Sequence, residues 1–195
     1  PVEGNYDELS FSGILSELEN QVPKCCLELL KDYHKVQYPI SQNDFSLILK
    51  YKLLNKQPES LVRYVDVSPE IASRIANQLN NFFNYKQFCD LLKTRELTQT
   101  RVNRALLHIM LGTKKVNVEE YIDNGYHMYA RLLGFRKDNA KLLTAMSKES
   151  SLLVLTKMSE IDELPELGQK MLRHDMLASN LYTSVVTDKF KTAFQ

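Results

Sequence analysis

The segment from Thr98 to Gly112 constrains the fold of this chain more than any other. Threonine is a helix-capping residue, and glycine suits the position at which a helix ends. Between them, apolar residues recur at helical spacing, at Val102, Ala105, Leu106, Ile109 and Met110. The pattern predicts one helix over the whole segment.

Similar signals divide the chain before this helix. Pro23 suits the start of a helix that continues to Tyr33, and Asp44 is positioned to cap a second helix. Further helices are predicted from Pro58 to about residue 64, after the Ser68-Pro69-Glu70 cap, and over residues 85–92. The first 113 residues are therefore expected to be all α.

The pattern changes after Gly112, where a polar stretch over residues 113–125 is expected to separate the helices from two short apolar runs. The runs, residues 129–135 and 152–156, are typical of buried strands, and residues 139–146 favour a helix between them. A strand, helix and strand in this order predict a parallel pair with a right-handed crossover. One or two helices are expected over residues 164–186.

Together these patterns predict a mainly α fold, in which a helical bundle is followed by a small α/β segment with a short parallel two-stranded sheet. The expected domains are residues 1–113, which carry the basic helix start, and residues 114–195. The chain begins at Pro1 rather than at methionine. This start suggests a fragment or a processed product.

Four cationic side chains surround the predicted start of the Thr98 helix, where the helix dipole disfavours cations. Arg101, Arg104 and His108 share one helix face, while Lys93 and Arg95 lie in the preceding loop. Free backbone N–H groups and guanidinium groups both bind phosphate oxygens, so the arrangement favours an anionic partner. The ordinary alternative is a solvated helix face whose arginines pair with nearby carboxylates.

The overall charge limits what such a partner can contact. A net charge of +1 and a sequence pI near 8.1 exclude a uniformly basic coat, so nucleic acid would contact only a local patch. No apolar run reaches the roughly 20 residues that span a bilayer. The chain is expected to be soluble and cytoplasmic, with no membrane partner.

The search for catalytic and metal sites is negative. The sequence contains no phosphate-binding glycine loop, no dinucleotide fingerprint and no His-x-Gly-His motif. The four histidines are scattered and no metal site is expected. Cys25, Cys26 and Cys89 are an odd number, and the adjacent pair is expected to be buried and reduced in an apolar helix. No residue of this chain is predicted to be catalytic.

An ordered series of motifs resembles the bacterial tRNA(Met) cytidine acetate ligase family, a family of nucleotidyltransferase-like proteins, in its C-terminal half. The resemblance covers residue 20 to the end, with Glu96 and Leu97 at positions where the family usually has a basic residue and an aromatic. The matching motifs are Asp44-Phe45-Ser46, Lys50-Tyr51-Lys52-Leu53-Leu54, Glu70-Ile71-Ala72-Ser73-Arg74-Ile75, Lys93-Thr94-Arg95, Thr98, Thr100-Arg101, Arg104 and Tyr129-Ala130-Arg131-Leu132-Leu133-Gly134-Phe135.

The resemblance implies a parent enzyme that activates acetate with ATP to acetyl-adenylate and acetylates the wobble cytidine of elongator methionine tRNA. It implies that the adenylation chemistry belongs to an N-terminal nucleotidyltransferase domain missing from this chain, which alone would be inactive and hold no cofactor. The residues expected to face tRNA, or that missing domain, are Lys93, Arg95, Thr98, Thr100, Arg101, Arg104 and Arg131.

Two questions stay open from the sequence. Recognition of anticodon bases would require a stacking aromatic, such as Tyr85 or Tyr129. In the second-ranked function, a noncatalytic scaffold, the arginines would pair with acidic residues of another domain or subunit. The third-ranked function is a nucleotide-binding enzyme complete in this chain, which would require that the purified chain bind ATP.

Overall fold

A computed structural model describes residues 11–34, 36 and 39–193. Within these ranges the chain forms ten α-helices and two short strands, joined in places by 3₁₀ turns. The helices are α1 Phe11–Leu18, α2 Lys24–Tyr33, α3 Ser46–Leu54, α4 Pro58–Leu61, α5 Pro69–Gln78, α6 Tyr85–Leu92, α7 Gln99–Leu111, α8 Lys115–Asp123, α9 Ala140–Glu149 and α10 Glu166–Phe190. The strands are β1 Ala130–Arg131 and β2 Val154–Leu155.

Capping residues define the helix starts that the sequence predicted best. The Ser68 hydroxyl accepts a hydrogen bond from the backbone N–H of Ile71 at 3.2 Å, and α5 begins at the next residue, Pro69. Gly112 ends α7 in the left-handed region, with φ at 79°, where an L side chain would be strained. These local signals correctly placed α5, α6 and α7.

Asp44 caps a turn rather than a helix, which corrects the prediction for this segment. Its carboxylate accepts a hydrogen bond from the backbone N–H of Ser41 at 2.6 Å, within a 3₁₀ turn over Gln42–Phe45. The α-helix α3 begins only at Ser46. The hydroxyl of Ser46 also accepts from the backbone N–H of Tyr85 at 2.9 Å, so the start of α3 is bonded directly to the start of α6.

The main core lies among α3, α5, α6 and α7. Phe88 of α6 and Leu106 of α7 are fully buried at its centre, and Leu49 of α3 closes one side. Burial of these apolar surfaces is the dominant stabilising contribution to such a helical layer. The core therefore holds α6 and α7 firmly on either side of residues 93–98.

The predicted parallel sheet is present. Together with the ten helices, this short sheet confirms the predicted mainly α fold class. Ala130 pairs with Val154 and Arg131 pairs with Leu155 in parallel register. The pairing is much shorter than the two apolar runs, and Leu133 and Phe135 are exposed rather than buried. A two-stranded sheet is too small to bury residues beyond its own pairing, so among the described residues the second half of the first run stays exposed.

Two further elements differ from the sequence prediction. The polar stretch after Gly112 forms the helix α8, which buries Tyr121. The helix α9 forms where it was expected, but none of its described side chains is fully buried, and Leu142 and Met146 are exposed. Residues 113–125 contain too few apolar residues for their periodicity to predict a helix.

The long helix α10 contacts both halves of the described chain. Leu172 is buried against Leu155 and Leu164 in a second, smaller core, while Leu181 packs against the main core. Near its end, the Lys189 ammonium lies 2.9 Å from the Asp44 carboxylate. The predicted domain boundary at residue 113 stays a prediction. Within the described ranges no helix is long and apolar enough to cross a membrane.

Candidate nucleic-acid interface

The loop between α6 and α7, residues 93–98, is here called the basic loop. Thr94 organises it, because its hydroxyl accepts hydrogen bonds from the backbone N–H groups of Glu96 and Leu97 at 3.3 and 3.0 Å. The backbone N–H of Thr94 in turn donates to the carbonyl of Leu97 at 3.0 Å. Threonine favours such local turns since its hydroxyl reaches nearby backbone groups. The loop is therefore a closed turn with a defined shape.

Two side chains attach the basic loop to the helical layer. Leu97 is only 1% exposed and belongs to the main core. Leucine therefore anchors the loop at the position where the family usually has an aromatic residue. Arg74 of α5 donates from Nε to the carbonyl of Leu92 at 2.9 Å and from Nη2 to that of Leu91 at 3.1 Å. A cation at a helix C-terminus is favourable, so Arg74 caps α6.

Thr98 begins α7, as the sequence predicted. Its hydroxyl accepts from the backbone N–H of Arg101 at 3.4 Å, which is a long hydrogen bond, and its carbonyl accepts from Val102. The first N–H groups of an α-helix have no partner within the helix and point along its axis. The basic loop and the first turn of α7 therefore share one exposed surface with a positive dipole end.

The four cations of this surface are not equivalent. Lys93 is paired with Asp90 at 3.1 Å, and the Nη2 atom of Arg104 lies 2.9 Å from the Asp66 carboxylate. Neither Arg95 nor Arg101 has an acidic partner among the residues that the structure describes, and both are exposed. The unbalanced positive charge is therefore concentrated on these two arginines.

All seven predicted site residues are exposed, but one lies in a different element from the rest. Six lie on the basic loop or on α7. Arg131 lies in β1, two residues after Tyr129, whose hydroxyl bonds to the Asp175 carboxylate of α10. The α10 helix contacts the C-terminal end of α7, where Nε2 of His174 lies 3.0 Å from the carbonyl of Leu111. Arg131 thus belongs to the sheet and α10 rather than to the start of α7.

Asp66 was not recognised from the sequence, although it lies against the candidate surface. Its Oδ2 atom lies between Nη2 of Arg104 and Nε2 of His108, at 2.9 and 3.2 Å. Burial lowers the pKa of His108 below its usual 6.5 despite the nearby carboxylate, so the ring is neutral at neutral pH. Asp66 and Arg104 are 38 residues apart in sequence, and no local pattern relates them.

Of the two proposed stacking aromatics, Tyr85 is excluded. It is buried in the main core, and its hydroxyl donates to the carbonyl of Asn103 at 3.3 Å, so its ring presents no free face to a base. Tyr129 is only partly buried. Burial and the hydrogen bond to Asp175 raise the pKa of its hydroxyl, which therefore stays protonated.

The cysteines differ from expectation. Cys25 is exposed and Cys26 is only partly buried, so the adjacent pair is not an interior pair; Cys89 is the buried one. All three are free thiols. Burial raises the pKa of Cys89 to about 11, which keeps it protonated and poorly nucleophilic. In the part of the chain that the structure describes, no group of three His, Cys, Asp or Glu side chains could hold a metal ion.

Comparison with solved structures finds the same fold in a Thermotoga maritima protein. Thermotoga maritima TmcAL, crystallised with alpha-thio ATP, superposes with a TM-score of 0.79 at 22% sequence identity, over 90% of this chain and 44% of that one. Its apo form gives a TM-score of 0.78 at 18% identity, over 96% of this chain and 49% of that one.

Comparison with sequences gives relatives named tRNA(Met) cytidine acetate ligase. The protein of Thermoanaerobacter sp. strain X514 is 31% identical over 170 residues, which are 87% of this chain and 41% of that protein. The Bacillus subtilis protein is 26% identical over 98% of this chain and 47% of its own length. The chain thus spans less than half the length of these curated relatives. A family model described as HIGH nucleotidyl transferase matches residues 7–195, and the chain belongs to that family.

Proposed function

We propose that this chain is the C-terminal, tRNA-binding part of an ATP-dependent tRNA(Met) cytidine acetate ligase. The observation that carries the proposal is a pair of exposed arginines, Arg95 in the basic loop and Arg101 in the first turn of α7, neither of which has an acidic partner among the described residues. Relatives named for action on tRNA(Met) support an RNA partner rather than another anion.

The mechanism we propose is electrostatic positioning. Arg95 and Arg101 bind phosphates of the tRNA backbone through their guanidinium groups, and the first N–H groups of α7 add donors to the same surface. Backbone contacts fix the orientation of the RNA without reading its sequence. Positioning of this kind would present the wobble cytidine of elongator methionine tRNA to the catalytic part of the enzyme.

We place the adenylation chemistry in an N-terminal nucleotidyltransferase domain outside this chain. The 195 residues contain no His-x-Gly-His motif and no phosphate-binding glycine loop. ATP and acetate are therefore proposed as substrates of the whole enzyme, with no ATP contact assigned to any residue described here. The chain alone is expected to be inactive.

The competing function is a noncatalytic scaffold. It is favoured by the Lys93–Asp90 and Arg104–Asp66 ion pairs, which show that half of the basic cluster already has partners inside the chain. A scaffold would bind RNA weakly and form oligomers at high concentration. The arginines Arg95 and Arg101 would then meet acidic residues of another domain or subunit.

Equilibrium binding of the purified chain to unmodified elongator methionine tRNA over a salt series tests the proposal. We expect the affinity to fall steeply with salt, and an Arg95→Ala/Arg101→Ala variant to reduce the slope of log K against log salt by about 2, one for each lost phosphate contact. The matched control is Lys24→Ala/Lys31→Ala, which removes two exposed cations of α2. Equal effects of the two double variants, or no salt-sensitive binding, would favour the scaffold.

A further inference from the structure

Asp66 has an unusual backbone conformation, in a turn whose flanking residues on both sides of Asp66 are hydrogen-bonded to the segment after α7. Its φ is 60°, in the left-handed region that few non-glycine residues adopt, and aspartate is among the residues that tolerate it. The next residue, Val67, is 1% exposed in the main core. Strain of this kind persists only where the surrounding structure holds it.

The surrounding contacts come from the segment that follows α7. The backbone N–H of Val65 donates to the carbonyl of Thr113 at 3.0 Å, and that of Lys115 donates to the carbonyl of Arg63 at 2.9 Å. The Lys115 ammonium also donates to the carbonyl of Val67 at 3.1 Å. These bonds hold the turn at a fixed position relative to the C-terminal end of α7. The Asp66 carboxylate is therefore fixed relative to that helix as well.

The fixed carboxylate meets two side chains that are four residues apart on one face of α7. Its Oδ2 atom lies 2.9 Å from Nη2 of Arg104 and 3.2 Å from Nε2 of His108. Arg104 is nevertheless 63% exposed. A guanidinium has five N–H donors in a rigid plane, so an ion pair through Nη2 leaves other donors for a ligand.

We infer that Asp66 is a positioning residue, which holds the Arg104 guanidinium oriented toward a phosphate of a bound RNA beside Arg101. This role rests on the proposed RNA-binding function. An arginine that is already oriented loses less side-chain entropy on binding, and one immobilised long side chain corresponds to about 0.5–1.5 kcal/mol, or about a two- to tenfold change in affinity.

The direction in which RNA affinity changes when Asp66 is replaced distinguishes a positioning role from a purely electrostatic one. Asp66 is an anion next to a surface that binds an anion, so loss of its charge alone would strengthen RNA binding. Loss of an orienting contact would weaken binding. The variant Asp66→Asn suits the test, because asparagine tolerates a positive φ and has nearly the same shape.

The experiment measures tRNA affinity of the whole chain for four variants. We expect Asp66→Asn to weaken binding about two- to tenfold, and to have no further effect in an Arg104→Ala background. The control Asp123→Asn removes an exposed carboxylate that has no ion pair among the described residues, and should leave affinity unchanged. A merely structural role for Asp66 would give the same loss with or without Arg104.

The outcomes are distinguishable. Binding by Asp66→Asn that equals or exceeds that of the original chain overturns the positioning role and leaves the RNA-binding function intact. Absence of salt-sensitive binding by the original chain overturns both. If Asp66→Asn does not fold, Arg104→Lys provides the test, since it keeps the charge and loses the planar fork. Weaker binding by Arg104→Lys supports an oriented guanidinium, and unchanged binding contradicts it.

Discussion

His108 lies at the point where a helix face, a carboxylate and the main core meet. Burial lowers the pKa of its ring below 6.5, while Asp66 opposes this effect and Arg104 and His174 add to it. Because the ring is only partly buried, both the neighbouring charges and the solvent influence its pKa. The protonation of a single side chain therefore affects the stability of the surface that we assign to RNA.

We predict that the free energy of unfolding falls as pH drops from about 7.5 to about 5.5, and that His108 contributes part of this fall. With a lower pKa in the folded state, the unfolded chain binds more protons below pH 6.5, so acid favours unfolding. Denaturant unfolding of the original chain and of His108→Gln at several pH values measures the difference.

The control for this titration is His127→Gln, which removes an exposed imidazole. His127→Gln should preserve the pH dependence, whereas His108→Gln should flatten it. An unchanged pH profile in His108→Gln would show that His108 has the same pKa in the folded and unfolded chain.

At the scale of elements, the basic loop depends on one apolar anchor. Leu97→Ala should destabilise the protein by about 2–5 kcal/mol, because it leaves a cavity in the main core. Leu107→Ala, at a position of α7 that is 42% exposed, should cost about 0.5 kcal/mol or less. Thermal and denaturant unfolding of both variants provide the measurement. Similar losses in the two variants would contradict the role of Leu97 as the anchor.

Local rules explain which elements could be predicted from the sequence. Ser68, Thr98 and Gly112 act within four residues of their own position, so their caps and the helices α5 and α7 were predictable. The parallel strands followed from two apolar runs around a helix. The helix α8 was missed because its stabilising contacts come from elsewhere, and the periodicity of its own residues is weak.

The candidate site was predictable only in part for a related reason. The cations of residues 93–104 are visible in the sequence, and the Lys93–Asp90 pair is local, but the Arg104–Asp66 ion pair is tertiary. Asp66 reaches Arg104 from a turn before α5, and Arg74 reaches the end of α6 from the middle of another helix. Only the fold shows that Arg95 and Arg101 have no acidic partner among the described residues.

At the scale of the whole molecule, α10 couples the two cores. Its 25 residues extend about 37 Å, long enough to contact both. Leu172→Ala should destabilise the chain by about 2–5 kcal/mol and increase hydrogen exchange in α7 as well as in β2, because α10 packs against both cores. The control is Leu177→Ala, at an exposed position of α10. Faster exchange confined to β2 would show two independently unfolding parts.

The weak packing of α9 exposes this part of the chain to proteolysis. It has ten residues, and isolated helices shorter than about 12–15 residues are marginal in water. Without a fully buried side chain among those described, α9 gains little from its neighbours and opens far more often than α7. Lys141 and Lys148 lie within it and are exposed, so we expect trypsin to cleave α9 before it cleaves the buried helices.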